Sequence, residues 1–154
     1  PGIYIVRPLP NQTDEVEAYL WEIWKRGNIG LFFDEATLLP KPYQPGAVRS
    51  IFVQGRSKRI PVIACTQRPS GISPYTFSEA DFFACFYLQK PEDTATFAAF
   101  TPWSPRECVE RLPPHYCRWY DSPRDFATIL KPCPEEAVIL ETFHDRLKPK
   151  RRFF

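Results

Sequence analysis

Two apolar stretches of this chain end on polar groups that could share one piece of chemistry. Residues 28–39, NIGLFFDEATLL, run into the adjacent carboxylates Asp34 and Glu35, and residues 60–69, IPVIACTQRP, run into Thr66, Gln67 and Arg68. The chemistry that uses such a set is nucleotide hydrolysis. One carboxylate holds Mg²⁺, usually through water, because Mg²⁺ dehydrates reluctantly and prefers one or two carboxylates plus phosphate oxygens. A second carboxylate just beyond it orients and deprotonates the attacking water. A neutral amide on the neighbouring strand hydrogen-bonds that water or the γ-phosphate. Each piece taken alone also has a plain structural role: Asp-Glu as a strand stop and helix N-cap, Gln67 and Arg68 as loop polar groups.

The elements that must position these residues follow from hydrophobic spacing. IGLFF, after a Gly-Asn stop, predicts a short strand buried on both faces, and PVIACT and FFACFYL repeat that pattern. Over residues 11–28, Val16, Leu20, Ile23 and Trp24 recur at i, i+4, i+7 and i+8. Acids crowd the first turn and Lys25, Arg26 and Gly27 finish it, which predicts an amphipathic helix. A second helix is expected from Pro45 to Gln54 with Val48, Ile51 and Phe52 inward. IYIVR, residues 3–7, reads as a strand closed by Pro8 and Pro10. PEDTATFAAF and SPRECVERL read as helices, the second with Ser104 as N-cap, Pro105 at N1 and Glu107 at N3. YCRWYD, FATILK and AVILETF read as strands, the first two as a candidate hairpin. Strands alternating with helices imply an α/β fold with a mostly parallel sheet. Ligands then sit beyond the carboxyl ends of the strands. If the first two apolar strands are neighbours, Asp34, Glu35, Thr66, Gln67 and Arg68 converge on one crevice.

The run GLFFDEATLL, a helix leading into GRSKRIPV, and then IACTQRPSGI resembles the HerA/FtsK superfamily of P-loop DNA-pumping ATPases. Conjugative coupling proteins and viral packaging ATPases belong to that group. The apolar strand ending in Asp-Glu is similar to its Walker B motif, and CTQRP to the ending of its next strand. The resemblance covers residues 28–90 best. It implies a P-loop NTPase (RecA/ASCE-like) sheet with helices on both faces, ATP and Mg²⁺ as cofactors, Asp34 on the Mg²⁺ side and Glu35 as catalytic base. It also implies Gln67 as polar sensor, with Thr66 and Arg68 beside the nucleotide. Members act as rings, usually hexamers, in which a basic residue enters the neighbouring subunit's site. Arg56 matches that position, with Arg49, Arg59 and Arg68 as rivals. The partners implied are double-stranded DNA, further copies of the chain, and capsid or portal vertex proteins, in the host cytoplasm or on the virion. The process implied is viral genome packaging.

One family feature is absent: no G-x-x-x-x-G-K-[ST] occurs, so the phosphate cradle of the P-loop is missing from these residues. The opening PGIYIVRP has no initiator Met. The expectation is therefore one ATPase domain over residues 1–154, incomplete at its N-terminus, with a basic tail over 145–154. Two other readings stay open: an ATPase-like scaffold or DNA-binding subunit without a P-loop, and an ATPase of the filamentous-phage assembly type.

Composition bounds the remaining classes. With 154 residues, 44% of them hydrophobic, the chain can bury a core. A net charge of +2 does not by itself announce nucleic acid, although the KPKRRFF ending is basic, and Lys41 in ATLLPKPYQPG marks a candidate DNA-contacting loop. The 18 prolines are spread along the chain, which argues for rigid loops rather than a linker. Five cysteines, an odd number, with two in apolar runs, argue against a disulfide framework and for a reducing compartment. Cys108, His115, Cys117 and Cys133 lack the paired spacing of structural zinc sites. The sequence has neither an apolar run of membrane-spanning length nor a charged start leading into an apolar segment.

Overall fold

Asp14 and Glu15 near one end and Lys25 and Arg26 near the other complement the helix dipole, and the residues between them form α1, Thr13–Arg26, with Leu20 and Ile23 buried. The computed structural model describes residues 4–9, 11–39 and 46–147. Gly27 ends α1 at φ 62°, its N–H bonded to the Ile23 carbonyl. Asn28 N–H then donates to the Lys58 carbonyl at 2.8 Å. The second helix, α2, spans Ala47–Gln54, with Glu17 of α1 accepting from Ala47 N–H at 2.6 Å. An acid from one helix thus satisfies a free donor at the start of the next. Pro45 and the loop containing Lys41 lie outside the described residues.

Against these helices pack two parallel strands, β1 (Leu31–Phe33) and β2 (Val62–Ala64), in the register Leu31↔Val62, Phe32↔Ile63, Phe33↔Ala64. Leu31, Phe33 and Val62 lean on a core of Leu20, Ile23, Ala47, Val48, Ile51 and Ile60. The opposite face does not match the expectation of strands buried on both sides, because Phe32 and Ile63 are each 63% exposed. Helices cover one face of this pair among the described residues. The expected strand at residues 3–7 does not form over the described positions 4–7, which have no regular structure. A strand needs a neighbour to bond its backbone groups.

Beyond β2 the chain forms α3 (Pro74–Ser78), β3 (Phe82–Cys85), α4 (Pro91–Ala98), α5 (Pro105–Val109), β4 (Cys117–Asp121), β5 (Phe126–Leu130) and α6 (Glu136–Leu147). The hairpin of β4 and β5 is present, as is the capping box of Ser104 and Glu107 on α5. β3 corrects the expectation of a third parallel strand, since it pairs antiparallel with β4 in a separate three-stranded sheet ordered β3-β4-β5. The described sheets are thus one parallel pair and one antiparallel triple rather than a large parallel sheet. Phe83 and Cys85 enter a second core with Ala36, Ile72, Phe77, Leu88, Phe97 and Cys108, while Phe82 stacks on Trp119 with ring centroids 5.3 Å apart. AVILETF, expected as a strand, belongs to α6. A helix bonds its own backbone and needs no sheet edge, and Glu136 in its first turn favours that choice. Residues 148–154 of the basic tail lie outside the described residues.

Candidate active site

Because β1 and β2 run parallel and in register, their carboxyl ends coincide. The ladder continues one step past the strands: Cys65 N–H donates to the Phe33 carbonyl and Ala36 N–H to the Cys65 carbonyl, both at 2.8 Å. This fixes Glu35 opposite Thr66 and Gln67. The carboxylate Oε1 accepts from Thr66 Oγ1 at 2.9 Å, Thr37 Oγ1 at 2.8 Å and Thr37 N–H at 3.1 Å. Oε2 accepts from the Gln67 backbone N–H at a long 3.4 Å. A carboxylate oxygen has about two lone pairs. Oε1 is therefore saturated, and Oε2 is the oxygen free to take a further donor. Glu35 also caps the 3₁₀ turn Ala36–Leu38, so the structural role read from the sequence coexists with the chemical one.

Burial raises the Glu35 pKa, but hydrogen bonds from the Thr37 side chain and backbone, the Thr66 hydroxyl and the Gln67 N–H outweigh it and hold the carboxyl below its ordinary value. Glu35 is thus ionised at neutral pH. Asp34 is exposed and close enough to act on the Cys65 thiol, whose pKa is raised by burial first and then by the charges of Asp34 and Glu35. Both acids therefore project negative potential at the same strand ends. Among the described residues no group of three or more His, Cys, Asp or Glu side chains gathers as a metal cage. One exposed carboxylate beside a second suits Mg²⁺, which relies on few protein ligands and on phosphate oxygens.

This chain is 34% identical over 151 residues to the DNA packaging ATPase P9 of Enterobacteria phage PRD1, a match covering 93% of the chain and 66% of P9. The chain is similar to a viral DNA-packaging ATPase over nearly its whole length. It spans slightly less than two thirds of that relative's length. No family model matches the chain. Its fold is similar to that of the genome packaging NTPase B204 of Sulfolobus turreted icosahedral virus 2 in complex with ATP-gammaS, with a TM-score of 0.65 at 23% identity over 80% of this chain and 64% of that one. The DNA-packaging ATPase B204 of Sulfolobus turreted icosahedral virus gives a TM-score of 0.64 at 22% identity over 84% of this chain and 66% of that one. At these identities the likeness shows the α/β fold.

The arginines of this chain separate from Asp34 and Glu35. Arg68 Nε donates to Asp93 Oδ2 at 3.0 Å, while its backbone N–H donates to Thr66 Oγ1 at 3.0 Å. Arg56 occupies the 3₁₀ turn Gly55–Lys58 and pairs with Asp81 at 2.8 Å, its side chain 81% exposed. It precedes β2 whereas Thr66 follows it, so the strand lies between Arg56 and the Glu35 cluster. Arg49 lies over the Tyr75 ring, 4.6 Å from its centroid. Two contributors escaped the sequence reading. Thr37, two residues past Glu35, carried the weak signal of a hydroxyl able to bond a nearby carboxylate. Asp93, in the first turn of α4, offers in the sequence only an acid where the helix dipole favours one.

Proposed function

We propose that this chain carries the hydrolytic part of an ATP-driven ring motor that moves double-stranded DNA into a viral capsid. The observation that carries the reading is Glu35: a carboxylate just past the end of β1, held in its ionised form by Thr37 and then by Thr66 and Gln67, which follow the parallel neighbour β2. In this reading Oε2 accepts a proton of the attacking water and so aims it at the γ-phosphate. The Gln67 side chain, exposed at the same strand end, senses the phosphate, with Thr66 and Arg68 beside it. Magnesium bound with the nucleotide offsets charge on the β- and γ-phosphates, and Asp34 would hold it, through water. Arg56 serves the active site of the neighbouring subunit in a ring, most simply a hexamer. A phosphate cradle from outside these 154 residues completes the site. The parallel pair belongs to a larger, mostly parallel P-loop sheet whose remaining elements cover Phe32 and Ile63. The motor works in the host cytoplasm or on the virion, against capsid or portal proteins.

The test is Glu35→Gln in the full-length protein. Glutamine keeps an oxygen able to cap the 36–38 turn but is not a base, so nucleotide binding is retained while DNA-stimulated ATP turnover falls by about 10²- to 10⁴-fold, the usual worth of a general base. Unchanged turnover would remove Glu35 from the chemistry.

A further inference from the structure

Asp93 is 2% exposed, an unusual position for an acid in a helix's first turn. Its carboxylate turns inward and takes three donors from the loop that follows β2: Arg68 Nε at 3.0 Å, Ser70 N–H at 3.0 Å and Ser70 Oγ at 2.6 Å. We propose that Asp93 is a positioning residue of the nucleotide site, holding residues 66–70 so that Thr66 and Gln67 stay on Glu35. This deepens the hydrolytic reading and rests on it.

The contacts close on themselves. From Asp93 the path runs through Arg68 to Thr66, whose Oγ1 accepts from Arg68 N–H at 3.0 Å and donates to Glu35 at 2.9 Å. Gly71 N–H donates to the Arg68 carbonyl at 2.8 Å, and a Cβ on Gly71 would stand 3.1 Å from Thr37 Cγ2. Thr37 in turn donates to Glu35. The loop is therefore anchored at one end by Glu35 and at the other by Asp93. The Asp93 contact engages Arg68 at Nε, which fixes the plane of the guanidinium while leaving both terminal nitrogens outside that bond. Without Asp93, Arg68 and Ser70 can satisfy themselves with water, since both are exposed, and the far end of the loop keeps only the packing of Pro69 and Ile72.

The experiment compares wild type with Asp93→Asn and Ser70→Ala in two arms. In the first, hydrogen exchange is followed on the full-length protein. The expected result is faster exchange over residues 66–71, by about tenfold or more, with β4 and β5 unchanged. In the second, ATP turnover of the full-length protein is measured. The expected result is a fall in kcat of about tenfold for Asp93→Asn and less for Ser70→Ala, with KM for ATP little altered, because the loop orders groups that act in the chemical step. Protected 66–71 amides in Asp93→Asn would overturn the proposal. So would faster loop exchange with an unchanged kcat, which is the signature of a merely structural acid. If Asp93→Asn fails to fold, Ser70→Ala, which leaves the Arg68 pair intact, decides by the same two readouts. Glu35→Gln is run alongside: unchanged turnover there sinks the hydrolytic reading, whereas the exchange arm still reports separately on Asp93.

Discussion

At the residue scale, two buried or half-buried carboxylates are kept ionised by local donors rather than by salt bridges alone. For Asp93, burial opposes the charge, but hydrogen bonds from the Ser70 side chain and backbone, followed by the charge and hydrogen bond of Arg68, hold the pKa below its ordinary value. The sign of the linkage follows. The folded pKa lies below the unfolded one, about 3.9, so the unfolded chain binds more protons between the two. Asp93 therefore contributes its stability in full above the unfolded value and loses it as pH falls through the folded value. The expected outcome is that Asp93→Asn costs about 1.5–3 kcal/mol at pH 7, the range for hydrogen bonds to a charged group. That gap should close as the pH drops below about 4. Urea unfolding of both proteins from pH 7 to pH 3 measures it. A gap independent of pH would mean the contacts act through shape and not through charge. Other acids titrate in the same window, and the difference between the two proteins removes their common share.

At the element scale, the strand ends are held in place by how the helices stop. Gly27 sits at φ 62° and ψ −177°, a region essentially limited to glycine. A Cβ there would stand 2.7 Å from the Lys58 carbonyl oxygen, which is backbone. Gly27→Ala is therefore expected to destabilise the chain by about 1–3 kcal/mol and to disturb the turn that carries Arg56. A thermal midpoint matching wild type would show that the α1 terminus relaxes freely. Much of this level was legible in the sequence. α1 announced itself through spacing and end charges, α5 through its capping box, and β1 and β2 through apolar runs that break at polar groups. Those same breaks made Asp34, Glu35, Thr66 and Gln67 readable as a group. The direction of β3 was not readable, because Phe82 is apolar for the sake of a diagonal neighbour on the antiparallel strand, Trp119, and not for burial in a parallel sheet. AVIL misled because a run of apolar residues does not by itself separate strand from helix. Asp93 was silent because its meaning comes from Ser70 and Arg68, which only the tertiary fold brings to it.

At the scale of the whole molecule, the position of Arg56 carries the argument for assembly. It lies before β2 and the Glu35 cluster lies after it, so the finger role proposed for Arg56 needs a second copy of the chain. Its present partner, Asp81, is an exposed ion pair at 2.8 Å. Such pairs contribute about 0–1 kcal/mol, so Arg56 can leave Asp81 at little cost when a phosphate is offered. The full-length Arg56→Ala protein should then lose most of its DNA-stimulated turnover, by about 10³- to 10⁵-fold if the finger is essential. Glu35→Gln should be inactive for its own reason. Mixing the two is the decisive measurement. If Arg56 acts across the subunit boundary, an interface that takes Glu35 from one variant and Arg56 from the other is intact. In a random ring of equal parts about a quarter of interfaces meet that condition, since each subunit of a head-to-tail pair is drawn independently. Turnover should rise from background toward that fraction of wild type. If Arg56 acts within its own chain, or only pairs with Asp81, every site in the mixture lacks one group or the other and the mixture stays as inactive as its components.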